Sequence, residues 1–494
     1  MTNDLHRLAA RTVMAAFVGP ELPGWARQRL ADGLGGLCLF GSNVTDPGAL
    51  TRLVARIHDS SDDAVVATDE EGGDVTRLYA RVGSPYAGHA VLGAADDLEL
   101  TRRVASDIGR ELRALGVDLD LGPVADVNSD PLNPVIGVRS FGADPGLVAR
   151  HTAAWVRGMQ EAGVGACLKH FPGHGDTRTD SHVDLPVVDA PIELLRRREL
   201  VPFAAGVLAG SVAVMTSHVV VRALDPDRPA TFSPTAAALL RAAADDGGLG
   251  FDGLLVSDGL EMRGASGEIG LPAAAVRALA AGVDLLCLGA DIDDGHVRGV
   301  LAAIVAAVRD GTLPEARLVE AAARVDDARR RLTALREVAS TDHSAPPEAP
   351  SASSEAARRA VTVDGALPDL GAAQVLRVVT AANQAAGEVP WGLPVDGRLL
   401  HGRPVRDVRE GDPLPTLDPA RPVVALVRAG HRYAWVRALL GALAVDRPDL
   451  VTVELGWPGP ERLPGRAVVV SHGASAVSGR AVDEVLAATG APTG

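Results

Sequence analysis

Eight short runs of continuously apolar residues recur along the first two thirds of the chain, at 12–18, 35–40, 64–68, 117–124, 164–168, 212–217, 253–257 and 283–288. Between most of them the apolar positions instead return every three or four residues, as in DPGALTRLVARIHDS (46–60) and LELTRRVASDIGRELRALG (98–116). A strand that is apolar at every position is buried on both faces, and helices between such strands supply the cover. The pattern predicts a parallel sheet, and eight repeats in about 330 residues predict a TIM-type (β/α)8 barrel. A doubly wound open sheet is the competing architecture, but no GxGxxG follows the early strands.

A barrel makes a specific demand: its chemistry should lie at the C-terminal ends of the strands. Polar residues stand there repeatedly. Asp69 follows the third run, Asp126 and Asn128 the fourth, Lys169 and His170 the fifth, His218 the sixth and Asp258 the seventh. Loops are solvated in any fold, which accounts for some of these positions. It accounts less well for acidic, basic and imidazole groups all gathering at one end.

The pattern then changes. Residues 339–360, including STDHSAPPEAPSASSEAARR, are rich in Pro, Ser and Ala with little to bury, and read as a linker. Beyond it, strands are expected at 375–380, 422–430, 451–457 and 467–473, with a helix at 431–445. The expected division is a barrel over 1–338, the linker, and a smaller C-terminal α/β sandwich domain over 361–494. The second domain shows no comparable concentration of polar chemistry.

At 494 residues the chain is too long for one core, which agrees with two domains. A net charge of -15 argues against nucleic acid, whose phosphates need basic patches. Cys38, Cys167 and Cys287 sit inside apolar runs without metal-site spacing and read as core residues. The first residues are too weakly patterned for a signal peptide, and no run approaches the ~18 apolar residues of a membrane helix. A cytoplasmic protein without a membrane partner is the expectation. Among 48 basic residues Lys169 is the only lysine, so this position is a candidate for needing a compact ammonium instead of a planar guanidinium.

The densest chemistry is KHFPGHGDTRTDSH, residues 169–182. His170, His174 and His182 invite a metal reading, but proline and two glycines rule out the helical two-histidine zinc motif. The GK[ST] ending of a phosphate-binding loop is missing, and no G-x-S-x-G elbow follows a strand. No metal and no cofactor are expected. Asp180 and His182, two residues apart, fall on one side of an extended segment. A carboxylate beside an imidazole fixes its tautomer and favours its protonated form, as a proton donor requires. A loop salt bridge without catalytic role fits that spacing equally well. If the dyad is an acid, Asp258 is the natural carboxylate nucleophile opposite it, the arrangement of retaining glycoside cleavage.

These residues resemble the family 3 glycoside hydrolases, and within them the β-N-acetylglucosaminidases of the NagZ type. The resemblance is carried by DEEGGDVTRL (69–78), GPVADVNSDPLNPVIGVRSFGADP (122–145), KHFPGHGDTRTDSHVDLP (169–186), MTSHVVV (215–221), PATFS (229–233) and LLVSDGLEM (254–262). It implies that Asp258 is the nucleophile, with His182 the general acid/base and Asp180 its partner. It implies that Asp69, Arg77, Arg139, Lys169 and His170 hold the N-acetylglucosamine, with His174 and His218 orienting neighbours. The implied activity is a retaining exo-β-N-acetylglucosaminidase acting on muropeptides in cell-wall recycling. Because a neutral imidazole repels an incoming anion less than a carboxylate does, phosphate is a possible acceptor in place of water, which makes a phosphorylase one alternative. Another family 3 specificity such as a β-glucosidase, and a catalytically silent sugar-binding protein, are the others. Two departures stand out: Glu70 and Asp74 where the family usually has glutamine and arginine, and Gly259 where it has a second aspartate. The first is expected to alter charge near the sugar, the second to remove a carboxylate beside the nucleophile.

Overall fold

The structure is a computed structural model that describes residues 2–179, 185–267, 269–339, 351–381 and 385–490. All eight expected strands form: β1 (Val13–Ala15), β2 (Gly36–Leu39), β3 (Val65–Thr68), β4 (Leu119–Asp120), β5 (Gly165–Phe171), β6 (Ala213–Thr216), β7 (Leu254–Val256) and β8 (Leu286–Cys287). They pair in parallel in chain order, and β8 returns to β1. A parallel bridge between Val256 and Leu285 joins the two ends of the sheet, so the ring is nearly closed. This is the (β/α)8 barrel.

Alternation along each strand divides the apolar side chains between two cores. Met14, Cys38, Val65, Ala67, Cys167 and Met215 fill the barrel interior. Val13, Leu37, Leu39 and Val66 point outward against the helices. The long helix Glu315–Val338 sends Val325, Ala328 and Leu332 into the interior cluster and plugs the barrel at the end where strands begin. The other end is left open to loops. The expected helices start and stop where their capping residues dictate. Pro47–Ser60 begins at Asp46, whose side chain accepts from Ala49 N–H at 2.8 Å, and Leu98–Leu115 ends at Gly116 in the left-handed region.

The second unit is a six-stranded mixed sheet. Its strands are β9 (Thr362–Gly365), β10 (Gln374–Val378), β11 (Val405–Val408), β12 (Val423–Val427), β13 (Val451–Glu454) and β14 (Ala467–Val470), in spatial order β9-β14-β13-β12-β10-β11. Only β9 is antiparallel to its neighbour. Val424 and Leu426 face one helix layer with Val482 and Leu486; Val423, Ala425 and Val427 face the other with Val436 and Leu440. That is an α/β sandwich. Strands β9 and β11 have no counterpart in the sequence expectation. Both are edge strands, largely exposed, so neither carries a continuous apolar run.

One expectation changes in the segment read as linker. Residues 351–360 form the helix Ser351–Ala360, whose Ala352, Ala356, Ala357 and Ala360 are buried against helices His89–Ala95 and Leu98–Leu115. Alanines on one face suffice for a close helix contact, and Arg359 adds an ion pair with Asp97 at 2.9 Å. Residues 340–350 lie outside the described residues. No helix among the described residues is long and apolar enough to cross a membrane.

Candidate active site

Six residues picked out from the sequence line one cavity of about 670 Å³ at the C-terminal end of the barrel: Asp69, Arg77, Arg139, Lys169, His170 and Asp258. They come from the loops after β3, β4 and β7 and from the end of β5, which the ring closure brings together. The other two, Asp180 and His182, lie outside the described residues.

Lys169 is the electrostatic centre of the cavity floor. It is 2% exposed, and its Nζ lies 2.7 Å from Asp69 Oδ1 and 2.6 Å from Glu71 Oε1. Burial works against its charge, yet the two carboxylates outweigh that and hold the ammonium above its usual range. Asp69 also receives Arg77 Nη2 at 3.1 Å. Burial would raise the Asp69 carboxyl, but Lys169 and Arg77 together bring it down to about 2. Glu71 takes a two-pronged pair from Arg139, with Nη2 at 2.8 Å and Nε at 3.0 Å, and is held well below the carboxylate range despite burial. Three cations and two carboxylates thus form a fixed lattice, whose remaining donors and acceptors suit a polyhydroxylated ring.

Glu71 was absent from the expected set. Asp69 and Glu71 are two residues apart past β3, so both side chains point to the cavity while Glu70 points away. That alternation was the readable signal. Glu70 instead turns beneath the loop: its Oε2 accepts from Thr76 Oγ1 and from the backbone N–H groups of Arg77 and Leu78, at 2.9 to 3.1 Å. It fixes the segment that carries Arg77. Burial pushes this carboxyl up to about 8 although its three donors favour the charged form.

Strand β5 runs to Phe171, beyond the expected end at 168, so Lys169 and His170 belong to the strand itself. The ladder to β6 shifts register between Leu168 and Phe171, and Lys169 bridges to Val124. His170 Nδ1 lies 2.7 Å from Asp126 Oδ2, and its Nε2 lies 3.3 Å from Arg139 Nη2. A guanidinium can only donate, so Nε2 is the acceptor and the proton sits on Nδ1. Asp126 also accepts from His174 N–H at 2.7 Å, anchoring the start of the FPGHG loop. Gly175 is dictated by packing there: a Cβ would stand 1.7 Å from the Val127 carbonyl oxygen. His174 reaches the cavity, and burial pushes its pKa down to about 4.

Asp258 follows β7 and is partly exposed to the cavity. Its Oδ1 accepts from Gly259 N–H at 2.8 Å. His218 holds the same turn, with Nε2 2.9 Å from the Gly259 carbonyl oxygen. A carbonyl only accepts, so His218 donates from Nε2. The site retains a carboxylate beside Asp258 despite the glycine at 259. A side chain at 259 would meet Glu261 Oε2 at 2.6 Å, and one at Gly289 would overlap the Glu261 carboxyl at 1.6 Å. Glu261 therefore occupies the space that these two glycines leave, and it lines the cavity. In the other departure, Asp74 stands outside this cavity. Asp74 is half-buried and accepts from Ala474 N–H at 2.8 Å, which ties the barrel to the second unit. That unit reaches the cavity at Ala385, whose carbonyl accepts Arg77 Nη1 at 3.0 Å.

Cys38 and Cys287 are buried, as expected of core residues, and also line the cavity floor; Cys167 lies in the same interior cluster. Among the described residues no group of three His, Cys, Asp or Glu side chains is arranged to hold a metal ion.

The glycosyl hydrolase family 3 N-terminal domain model matches residues 26–328. Beta-hexosaminidase A of Pseudoalteromonas piscicida is 36% identical over 275 residues, 51% of this chain and 45% of that protein. Beta-hexosaminidase LpqI of Mycobacterium tuberculosis is 38% identical over 250 residues, 50% of this chain and 63% of that one. The chain thus spans less than two thirds of either relative. Among solved structures, a family 3 β-N-acetylglucosaminidase from Paenibacillus sp. is 30% identical, covers 98% of this chain and 97% of its own, and superposes with a TM-score of 0.82.

Proposed function

The chain belongs to glycosyl hydrolase family 3, and on that footing we propose that it is a retaining exo-β-N-acetylglucosaminidase. The observation that supports this best is the convergence of Asp258 with the Asp69–Lys169–Glu71–Arg139 lattice around one cavity. The lattice grips hydroxyls of a terminal sugar, which leaves the anomeric carbon toward Asp258. Asp258 attacks that carbon as the glycosidic bond breaks, giving a glycosyl ester. His182, supported by Asp180, gives its proton to the departing oxygen and then takes one from water in the second step. Catalysis resides in the barrel, residues 1–338. The substrate class is a muropeptide or related β-N-acetylglucosaminide, handled in the cytoplasm.

Aryl glycosides test the reading. The N-acetylglucosaminide should be cleaved much faster than the matching glucoside, and the released sugar should be free N-acetylglucosamine. A faster glucoside would point to a β-glucosidase. A sugar 1-phosphate released in phosphate buffer would point to a phosphorylase.

A further inference from the structure

We propose that the crevice between the barrel and the second sheet is a separate binding site for a small anionic sugar, one whose ring carries a carboxylate or a phosphate. Chain order in the second sheet makes the crevice. From β10 the chain goes to β11 on one side, then returns as β12 on the other side and continues outward to β13 and β14. The loops after β10 and β12 therefore diverge. In open α/β sheets the gap beyond the strand ends at such a switch point is where ligands bind. Here the gap is about 580 Å³, lined by Thr380 after β10, Arg428 after β12 and Trp457 after β13, with barrel loop 131–139 as the facing wall. It is not the catalytic cavity: Arg139 alone lines both.

The crevice holds more positive than negative charge, with Arg428 and Arg432 against Asp74. Arg428 and Arg432 are half-buried, and among the described residues neither has a carboxylate within ion-pair distance. Each instead lies over an aromatic ring, Arg428 over Trp391 at 5.1 Å and Arg432 over Tyr433 at 5.6 Å. Such contacts hold the guanidinium while leaving its N–H edge available for an oxyanion. Asp74, which lines the crevice, and Glu454 both feel the charge of Arg428, so Arg432 supplies the excess. Asp74 accepts from Ala474 N–H, and Glu454 accepts from the N–H groups of Ala429, Gly430 and Gly456 at 2.6 to 2.8 Å. Tyr433 and Trp457 offer rings for the apolar face of a sugar.

Calorimetric titration of the full chain tests this, with glucuronic acid, glucose 6-phosphate and inorganic phosphate as probes. Excess N-acetylglucosamine is present throughout to fill the catalytic cavity. The two anionic sugars should still bind. Arg432→Met and Trp457→Ala should each weaken them by about tenfold or more, with kcat/KM for an aryl N-acetylglucosaminide unchanged. Displacement by N-acetylglucosamine, undiminished affinity in both variants, or no binding at about 10 mM would overturn the proposal. So would inorganic phosphate binding as tightly as both sugars, since the ring would then contribute nothing.

Discussion

At the scale of single residues, an ammonium at position 169 fits between two carboxylates only 2.7 and 2.6 Å away. A guanidinium is wider, flat and rigid, and would force Asp69 and Glu71 apart. Lys169→Arg should lower kcat/KM on an aryl N-acetylglucosaminide by on the order of 100-fold, because small misplacements of sugar-holding groups are costly. Steady-state kinetics check this, and a near-natural rate would mean that either cation serves. The scarcity of lysine made this position visible in the sequence. Glu71 went unread, although its alternation with Asp69 was a signal that could have found it. Glu261 gave no such signal, because its carboxylate reaches the site by folding back over Gly259 and Gly289, a packing event between distant loops. Asp74 likewise looked like a change near the sugar, and its partner Ala474 is 400 positions away.

At the scale of elements, the loop after β3 depends on Glu70, which collects three hydrogen bonds beneath it. Burial holds that carboxyl at about 8, against roughly 4.3 in an unfolded chain. Between those values the folded protein keeps a proton that the unfolded chain has released. Stability therefore falls as pH rises through the window, by up to about 1.4 kcal/mol per pH unit, and levels off above it. Glu70→Gln has nothing to titrate, so its stability relative to the natural chain should climb from about pH 5 to pH 8. Urea unfolding across that range measures the difference, and a constant gap would mean that Glu70 is ionised throughout. Central strands were legible because burial on both faces leaves an unbroken apolar run. Edge strands β9 and β11 were not, nor was the helix Ser351–Ala360, whose docking face is alanine within a Pro- and Ser-rich stretch.

At the scale of the whole molecule, the second unit meets the barrel cavity at Ala385. Arg77 donates to Asp69 and to Ala385 at once, and Asp74 and Pro131 accept from Ala474 and His431 across the same boundary. A chain ending at residue 338 should bind substrate about tenfold more weakly and unfold at lower temperature, because Arg77 loses a partner and the face under Ser351–Ala360 is uncovered. Kinetics and thermal melts of the shortened chain check this; unchanged KM would confine the second unit to a role outside the sugar cavity. Retaining cleavage in this cavity requires Asp258 to bond to the sugar. The most direct measurement is to trap the intermediate with a 5-fluoro N-acetylglucosaminyl fluoride and map the adduct by peptide mass spectrometry. One fluorosugar is expected on the peptide containing Asp258. An adduct on another carboxylate, or normal turnover in Asp258→Ala, would contradict that requirement.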